Sequence, residues 1–232
     1  MGAKKKKSSR DLIIETLKTK SCLKQNVYQA CLEQFEDFKA VLREVVDDLK
    51  NEMSCVDERI KVEYVEKSTF EVHLILAGDI LIFSMHSNVF KFESNDPLWK
   101  TSYLKEDENR AFCGIINVHN FLADSFRYNR MEDIGYLIAR VFINHEKHYV
   151  VQGKRQLGFL YHDFVNNVID KDAIRAIINS SILYSLDFDL LTPPYDNVKQ
   201  VSVHEILSLS SQMHFQTGKR LGFKFQADSD EL

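Results

Sequence analysis

Glycine and proline are scarce in this chain, with eight glycines and three prolines among 232 residues. The glycines are scattered. None falls into the Gly-x-Gly-x-x-Gly or Gly-x-x-x-x-Gly-Lys-[Ser/Thr] frames whose backbone amides cradle phosphates, which excludes a Rossmann fingerprint and a P-loop. The prolines sit in two turn signals, Asn95-Asp96-Pro97 and Thr192-Pro193-Pro194. The four cysteines, Cys22, Cys31, Cys55 and Cys113, stand 9, 24 and 58 positions apart. That spacing gives neither a Cys-x-x-Cys pair nor the ligand pattern of a zinc finger, and a reducing compartment fits it best.

Long apolar runs are missing too. Nothing approaches the roughly 18 uninterrupted apolar residues of a membrane helix, because Asp79 breaks the most hydrophobic segment. The basic start is followed by only three apolar residues before Glu15, too few for the core of a signal peptide. The expectation is a cytoplasmic protein. Also lacking are the Gly-x-Ser-x-Gly elbow, the kinase motif set and the His-Glu-x-x-His zinc pair. His145 and His148, three apart, read as exposed turn residues, and the two aspartates of "LDFDL" at 186–190 are a spacing common on solvated loops. Hydroxyls, carboxylates and histidines are so widespread that almost any triad could be assembled, so no catalytic residue and no cofactor is assigned.

What is present is an ordinary globular balance, 44% hydrophobic and 28% charged. The net charge of −4 conceals an asymmetry: residues 1–10 hold Lys4, Lys5, Lys6, Lys7 and Arg10 and no acid, leaving 25 basic against 34 acidic residues in the remainder. A short cationic tail on an acidic body can reach phosphates or an acidic partner. Residues 1–10 read as a disordered basic tail, 11–226 as a single α+β domain and 227–232 as a frayed acidic end.

The clearest periodicity lies between Leu23 and Met53. Tyr28, Cys31, Phe35, Phe38, Leu42, Val45 and Leu49 recur at steps of three and four, which predicts a long amphipathic helix preceded by a shorter amphipathic segment, Asp11 to Thr19. Such a stripe either lies on its own sheet or pairs with a second copy, so a homodimer or a protein partner through the 28–49 helix is an open reading. Strand patterns follow: Ile60, Val62 and Tyr64 alternate with charges, then come "FEVHLILAGDILIFSMH", "VFKF", "WKTSYL", "FCGIINVHNFL", "IGYLIARVFIN" and, after a turn at 144–147, "HYVVQ". Asp170 is placed to cap a helix bearing Ile174, Ile177, Ile178, Ile182 and Leu186, and Ser202 with Glu205 matches a capping box for another through Met213.

Within the hairpin of residues 70–86, a Gly78-Asp79 turn would set Ala77 opposite Ile80. Val72, Leu74 and Leu76 then share a face with Leu81, Phe83 and Met85. The opposite face places Glu71 across from His86 and His73 across from Ser84. Glu71, His73 and His86 are therefore the metal-ligand candidates, although a solvated sheet face carries the same residue types. A second candidate is an echo, "GKRQLGF" at 153–159 and "GKRLGF" at 218–223, whose Lys154, Arg155, Lys219 and Arg220 join the tail cations as possible contacts to a phosphate backbone.

The blocks "AGDILIFSMHSNVF", "CGIINVHNFLADSFRYNRMEDIGYLIARVFIN", "GKRQLGFLY", "LYSLDFDLLTPPYDNVK" and "TGKRLGF" together resemble a family of uncharacterised bacterial cytoplasmic proteins that begin with a lysine run. The resemblance extends from about Lys4 to Phe225. It implies one bacterial unit with a native lysine-rich start and assigns no activity, ligand or site residue.

The expected architecture is α+β: a long N-terminal amphipathic helix, a central antiparallel sheet of roughly six to eight strands between 59 and 161, and C-terminal helices packed on one face. Three functional readings follow from it. The first is a non-enzymatic interaction or regulatory protein. The second is an RNA- or DNA-associated protein using the basic tail, weakened by the acidic body. The third is a metal-dependent or hydrolytic enzyme at Glu71, His73 and His86.

Overall fold

The structure, a computed structural model, describes residues 8–192, 194–204 and 206. Its backbone is α+β: a long N-terminal helix, a seven-stranded antiparallel sheet and helices in the C-terminal part.

The helical start comprises α1 (Ser9–Thr16), one π-helical turn (Leu17–Ser21) and α2 (Cys22–Ser54). Ser8 and Asp11 form a reciprocal capping box, so the helix begins two residues earlier than the Asp11 start expected from the sequence. Arg10 accordingly lies on α1 instead of in a tail. The sheet is a meander of β1 (Val62–Ser68), β2 (Glu71–Leu76), β3 (Asp79–Met85), β5 (Phe112–Leu122), β6 (Tyr136–Asn144) and β7 (Tyr149–Gly153), each antiparallel to its neighbours. Beside β5 runs the two-residue β4 (Phe90–Lys91). Successive strands lie in adjacent lanes, as expected when the connections are turns or short helices of a single turn or so.

Both long helices cover one face. Cys31, Phe35, Phe38, Leu42 and Val45 of α2 are buried against Leu74, Leu81, Phe83, Ile116, Val118 and Val141 of the sheet. Ile174, Ile177, Ile178 and Ile182 of α6 (Lys171–Leu186) complete the same core. Each such side chain contributes roughly 1.5–3 kcal/mol on burial. The 28–49 stripe is thus spent on the chain's own core. Leu186, expected on the α6 stripe, is exposed at the last position of the helix. Asp170 caps α6 by accepting a hydrogen bond from the Ala173 amide at 2.8 Å.

The other face is covered at its two ends: at one, Phe126 of a short helix meets His73 and Phe121, and at the other a second apolar cluster forms. Leu98, Tyr103, Leu104 and Phe164 pack on Ile115, Phe142 and Val150. Here "VFKF" supplies only β4, and "WKTSYL" is not a strand. Residues Pro97–Lys100 form a 3₁₀ turn and Ser102–Glu106 form α3, because Asp96 and Thr101 accept from the amides of Leu98 and Leu104 and start helical turns. Two more five-residue helices, α4 (Ala123–Arg127) and α5 (Gln156–Leu160), and the four-residue α7 (Tyr195–Val198) complete the elements. The expected helix from Ser202 to Met213 lies largely outside the described residues. No helix among those described is long and apolar enough to cross a membrane.

Candidate functional sites

The hairpin keeps the two faces read from the sequence but shifts its register by two. Leu76 pairs with Asp79, and the turn is centred on Ala77-Gly78. The positive φ falls on Ala77 (51°), so Glu71 faces Ser84 and His73 faces Ile82. A slip of two leaves side-chain parity unchanged, which is why the faces survive the error.

Of the three metal-ligand candidates, the structure brings two together. His73 Nε2 lies 2.6 Å from Glu71 Oε1, two residues away on the same strand, and the ring meets Phe126 of α4 edge-on at 5.7 Å. Burial pulls the His73 imidazole below its ordinary pKa, with Glu71 opposing in part. A neutral imidazole therefore donates from Nε2 to the carboxylate. His86 turns instead to its own loop, where its Nδ1 accepts from the Asn88 amide at 3.0 Å and its ring packs on Phe90. Among the described residues no group of three His, Cys, Asp or Glu side chains is arranged to hold a metal ion. Across the sheet, Glu71, Ser84, Asn117, Arg140 and Gln152 fall in one register row, a polar belt between the two apolar ends of this face.

A polar cluster that the sequence reading passed over surrounds the β6–β7 turn. Asn144 Oδ1 accepts from the amides of Glu146 and His148, and its Nδ2 donates to Tyr103 Oη at 2.8 Å. Tyr103 donates to Glu146 Oε2 at 2.6 Å, while Arg110 Nε stands 3.0 Å from the same oxygen. Burial and the Glu146 carboxylate push the Tyr103 phenol far above its ordinary pKa. His148 stacks on Tyr103 at 4.5 Å. These contacts brace the turn, with His148 engaged by the Tyr103 ring and the Phe164 carbonyl.

The Gly-Lys-Arg turn builds a pocket. Lys154 to Leu157 form a tight turn, closed by the Leu157 amide donating to the Lys154 carbonyl at 3.2 Å. Arg155 occupies its first central position at φ 47° and ψ −126°. Those are the angles of a II′ turn, where glycine is the usual occupant, and strain of about 1–3 kcal/mol attaches to a side-chain-bearing residue there. Gly158 is needed behind it, since a Cβ would strike the Gly153 carbonyl. The turn and the last turns of α6 enclose a pocket of about 300 Å³ lined by Lys154, Arg155, Leu157, Ser180, Tyr184 and Asp187 among others. Arg155 forms an ion pair with Asp187 and lies over the Tyr184 ring at 5.7 Å. Ser180 Oγ and Tyr161 Oη share a hydrogen bond of 3.0 Å. Lys154 is exposed and its amino group has no partner among the described residues. Lys219 and Arg220, the second half of the echo, lie outside the described residues, as do Lys4, Lys5, Lys6 and Lys7.

The remaining surface feature is the helical arm. Every residue from Ser8 to Lys20 is exposed, including Leu12 (51%), Ile13 (59%) and Leu17 (56%). The π-helical turn at Leu17–Ser21 ends this stretch, and the first buried residue of the helix is Val27.

No family model, curated protein or solved structure matches the chain.

Proposed function

We propose that this is a bacterial cytoplasmic interaction protein, without catalytic activity of its own, that docks a protein partner through its N-terminal helical arm. The observation that carries this reading is the exposure of Leu12, Ile13 and Leu17 on a helical extension with no buried residue, while Cys31, Phe35, Phe38, Leu42 and Val45 of the α2 stripe are buried in the protein's own core. An amphipathic helix presented in this way suits an apolar groove on another protein. Charge indicates what rims that groove. Residues 1–24 hold eight basic residues and two acidic ones, a net of +6. Two arms side by side would repel, whereas an acidic rim attracts. The four cysteines are unpaired, in keeping with a reducing cytoplasm.

Leu12→Gln, Ile13→Gln and Leu17→Gln combined remove the apolar contact without changing charge, and none of the three residues is buried. Affinity purification from native extract under low salt is expected to yield a stoichiometric, acidic partner with the wild-type chain and to lose it with the triple variant. Identical partners for both, or none for either, would refute docking by the arm.

A second reading, nucleic-acid binding by the basic end, is favoured by one further observation: Arg10 is exposed in the first turn of α1, three residues after the lysine run. If Lys4, Lys5, Lys6, Lys7 and Arg10 all met phosphates on duplex DNA, the log-log salt slope would approach about −4.5 and collapse on removing residues 1–10. No binding at low salt by the full chain would end it.

A further inference from the structure

We infer that the pocket between the Lys154–Leu157 turn and the end of α6 binds a small phosphate monoester with a flat or apolar body. The inference is independent of the arm.

Three features of the pocket converge on this ligand class. The first is the cationic pair. Arg155 already holds an anion, the Asp187 carboxylate, and that carboxylate marks where a ligand's anionic group would sit. Asp187 is two-thirds exposed, so it can turn to water when displaced. Lys154, unpartnered among the described residues, and the Ser180 hydroxyl stand on the same lining and add donors for the remaining oxygens of a tetrahedral group. The second is the wall. Leu157, Leu183 and Tyr184 supply apolar and aromatic surface beside the charges. A bare anion would leave that wall unused, and the volume of about 300 Å³ matches the lower end of metabolite-sized sites. The third is the backbone. A turn position that glycine would fill without strain is occupied by a side chain that reaches both Asp187 and Tyr184. Strain of this kind is retained where the side chain is needed.

The test is a titration of the full chain with phenyl phosphate, inorganic phosphate and a single-stranded RNA oligonucleotide, followed by amide NMR shifts and calorimetry. Phenyl phosphate is expected to saturate with a submillimolar Kd, at least tenfold tighter than inorganic phosphate, and to shift the amides of residues 153–158 and 180–187. Arg155→Gly should lose at least tenfold in affinity while melting no lower than the wild type, because it relieves the turn. Asp187→Asn should gain severalfold, because it removes the internal competitor. The inference is overturned by wild-type affinity in Arg155→Gly, by equal affinity for inorganic and phenyl phosphate, by no saturation below 10 mM, or by RNA binding the pocket more tightly than phenyl phosphate.

Discussion

Lys39 Nζ stands 2.9 Å from Glu66 Oε1, tying the middle of α2 to the edge strand β1, with the lysine side chain only 1% exposed. The ammonium is also 2.9 Å from Glu36 and lies over the Phe35 ring at 5.3 Å, and Arg43 and Tyr64 complete the circle around Glu66. Burial lowers the Lys39 pKa, but the hydrogen bonds and charges of Glu66 and Glu36 outweigh it, so the group is held protonated. The Lys39 hydrogen bond, with Arg43 and against partial desolvation, pulls Glu66 below the usual carboxylate range. A buried lysine that is fully paired is a fastening and not a nucleophile.

Removing either end of that fastening should therefore have unequal effects. Lys39→Met keeps the apolar stem in place and should cost about 1 kcal/mol or less, whereas Glu66→Ala leaves a buried ammonium with only Glu36 and Phe35 and should cost about 2 kcal/mol. Urea unfolding midpoints at pH 7 measure both. Since Glu66 is depressed in the folded state, its contribution is present above the unfolded pKa and disappears as pH falls through the folded value, so the wild type should lose its advantage over Glu66→Ala in acid.

His73 gives a second pH signature with its own window. Burial depresses its pKa, as it does for His119, which pairs with Ile82 one strand away from His73. In the window below the ordinary imidazole value of about 6.5 the unfolded chain takes up protons that the folded chain refuses. Stability should be full above that value and fall as the pH drops through the folded pKa values. His73→Phe should flatten the slope between pH 6.5 and 5, measured by urea unfolding at several pH values. An unchanged slope would show that His73 is not a buried neutral imidazole.

At Gly114 the backbone of β5 touches α2. A Cβ there would lie 2.5 Å from both Cβ and Sγ of Cys31. Cys31 is itself fully buried, with its thiol pushed up to about 12 by desolvation. Gly114→Ala should cost about 2 kcal/mol through this overlap, seen as a lower melting temperature without loss of helical circular dichroism at 20 °C.

The hairpin turn offers the opposite sign. Ala77 holds a positive φ of 51° beside a glycine that does not. Ala77→Gly should stabilise by roughly 0.5 kcal/mol, the relief of a left-handed L-residue less the added freedom of the unfolded chain. Destabilisation would contradict the Ala77-Gly78 turn centre.

The stripe on α2 was legible because steps of three and four hold over three heptads, and Cys31, Phe35, Phe38, Leu42 and Val45 are all buried. The two faces of the hairpin were legible for a similar reason, since side-chain parity survives a register error of two. The register itself was not: glycine is the favoured carrier of positive φ, and this turn gives that role to Ala77. The Gly-Lys-Arg turn stood out in the sequence, but its partners Ser180, Tyr184 and Asp187 lie some thirty residues on and meet it only through the packing of α6. Asp11 to Thr19 was readable as amphipathic. That no described part of the chain covers it was not, because a hydrophobic pattern records what a helix can bury and not what stands against it.

Docking by the arm is tested most directly by photo-cross-linking in native extract, with a photoreactive phenylalanine analogue placed at position 13 and, as control, at the exposed position 171 of α6. The account predicts one dominant adduct to an acidic protein from position 13, weakened by 1 M salt and lost when Leu12 and Leu17 are changed to Gln, and none from position 171. The same adducts from both positions, or no adduct from position 13, would contradict it.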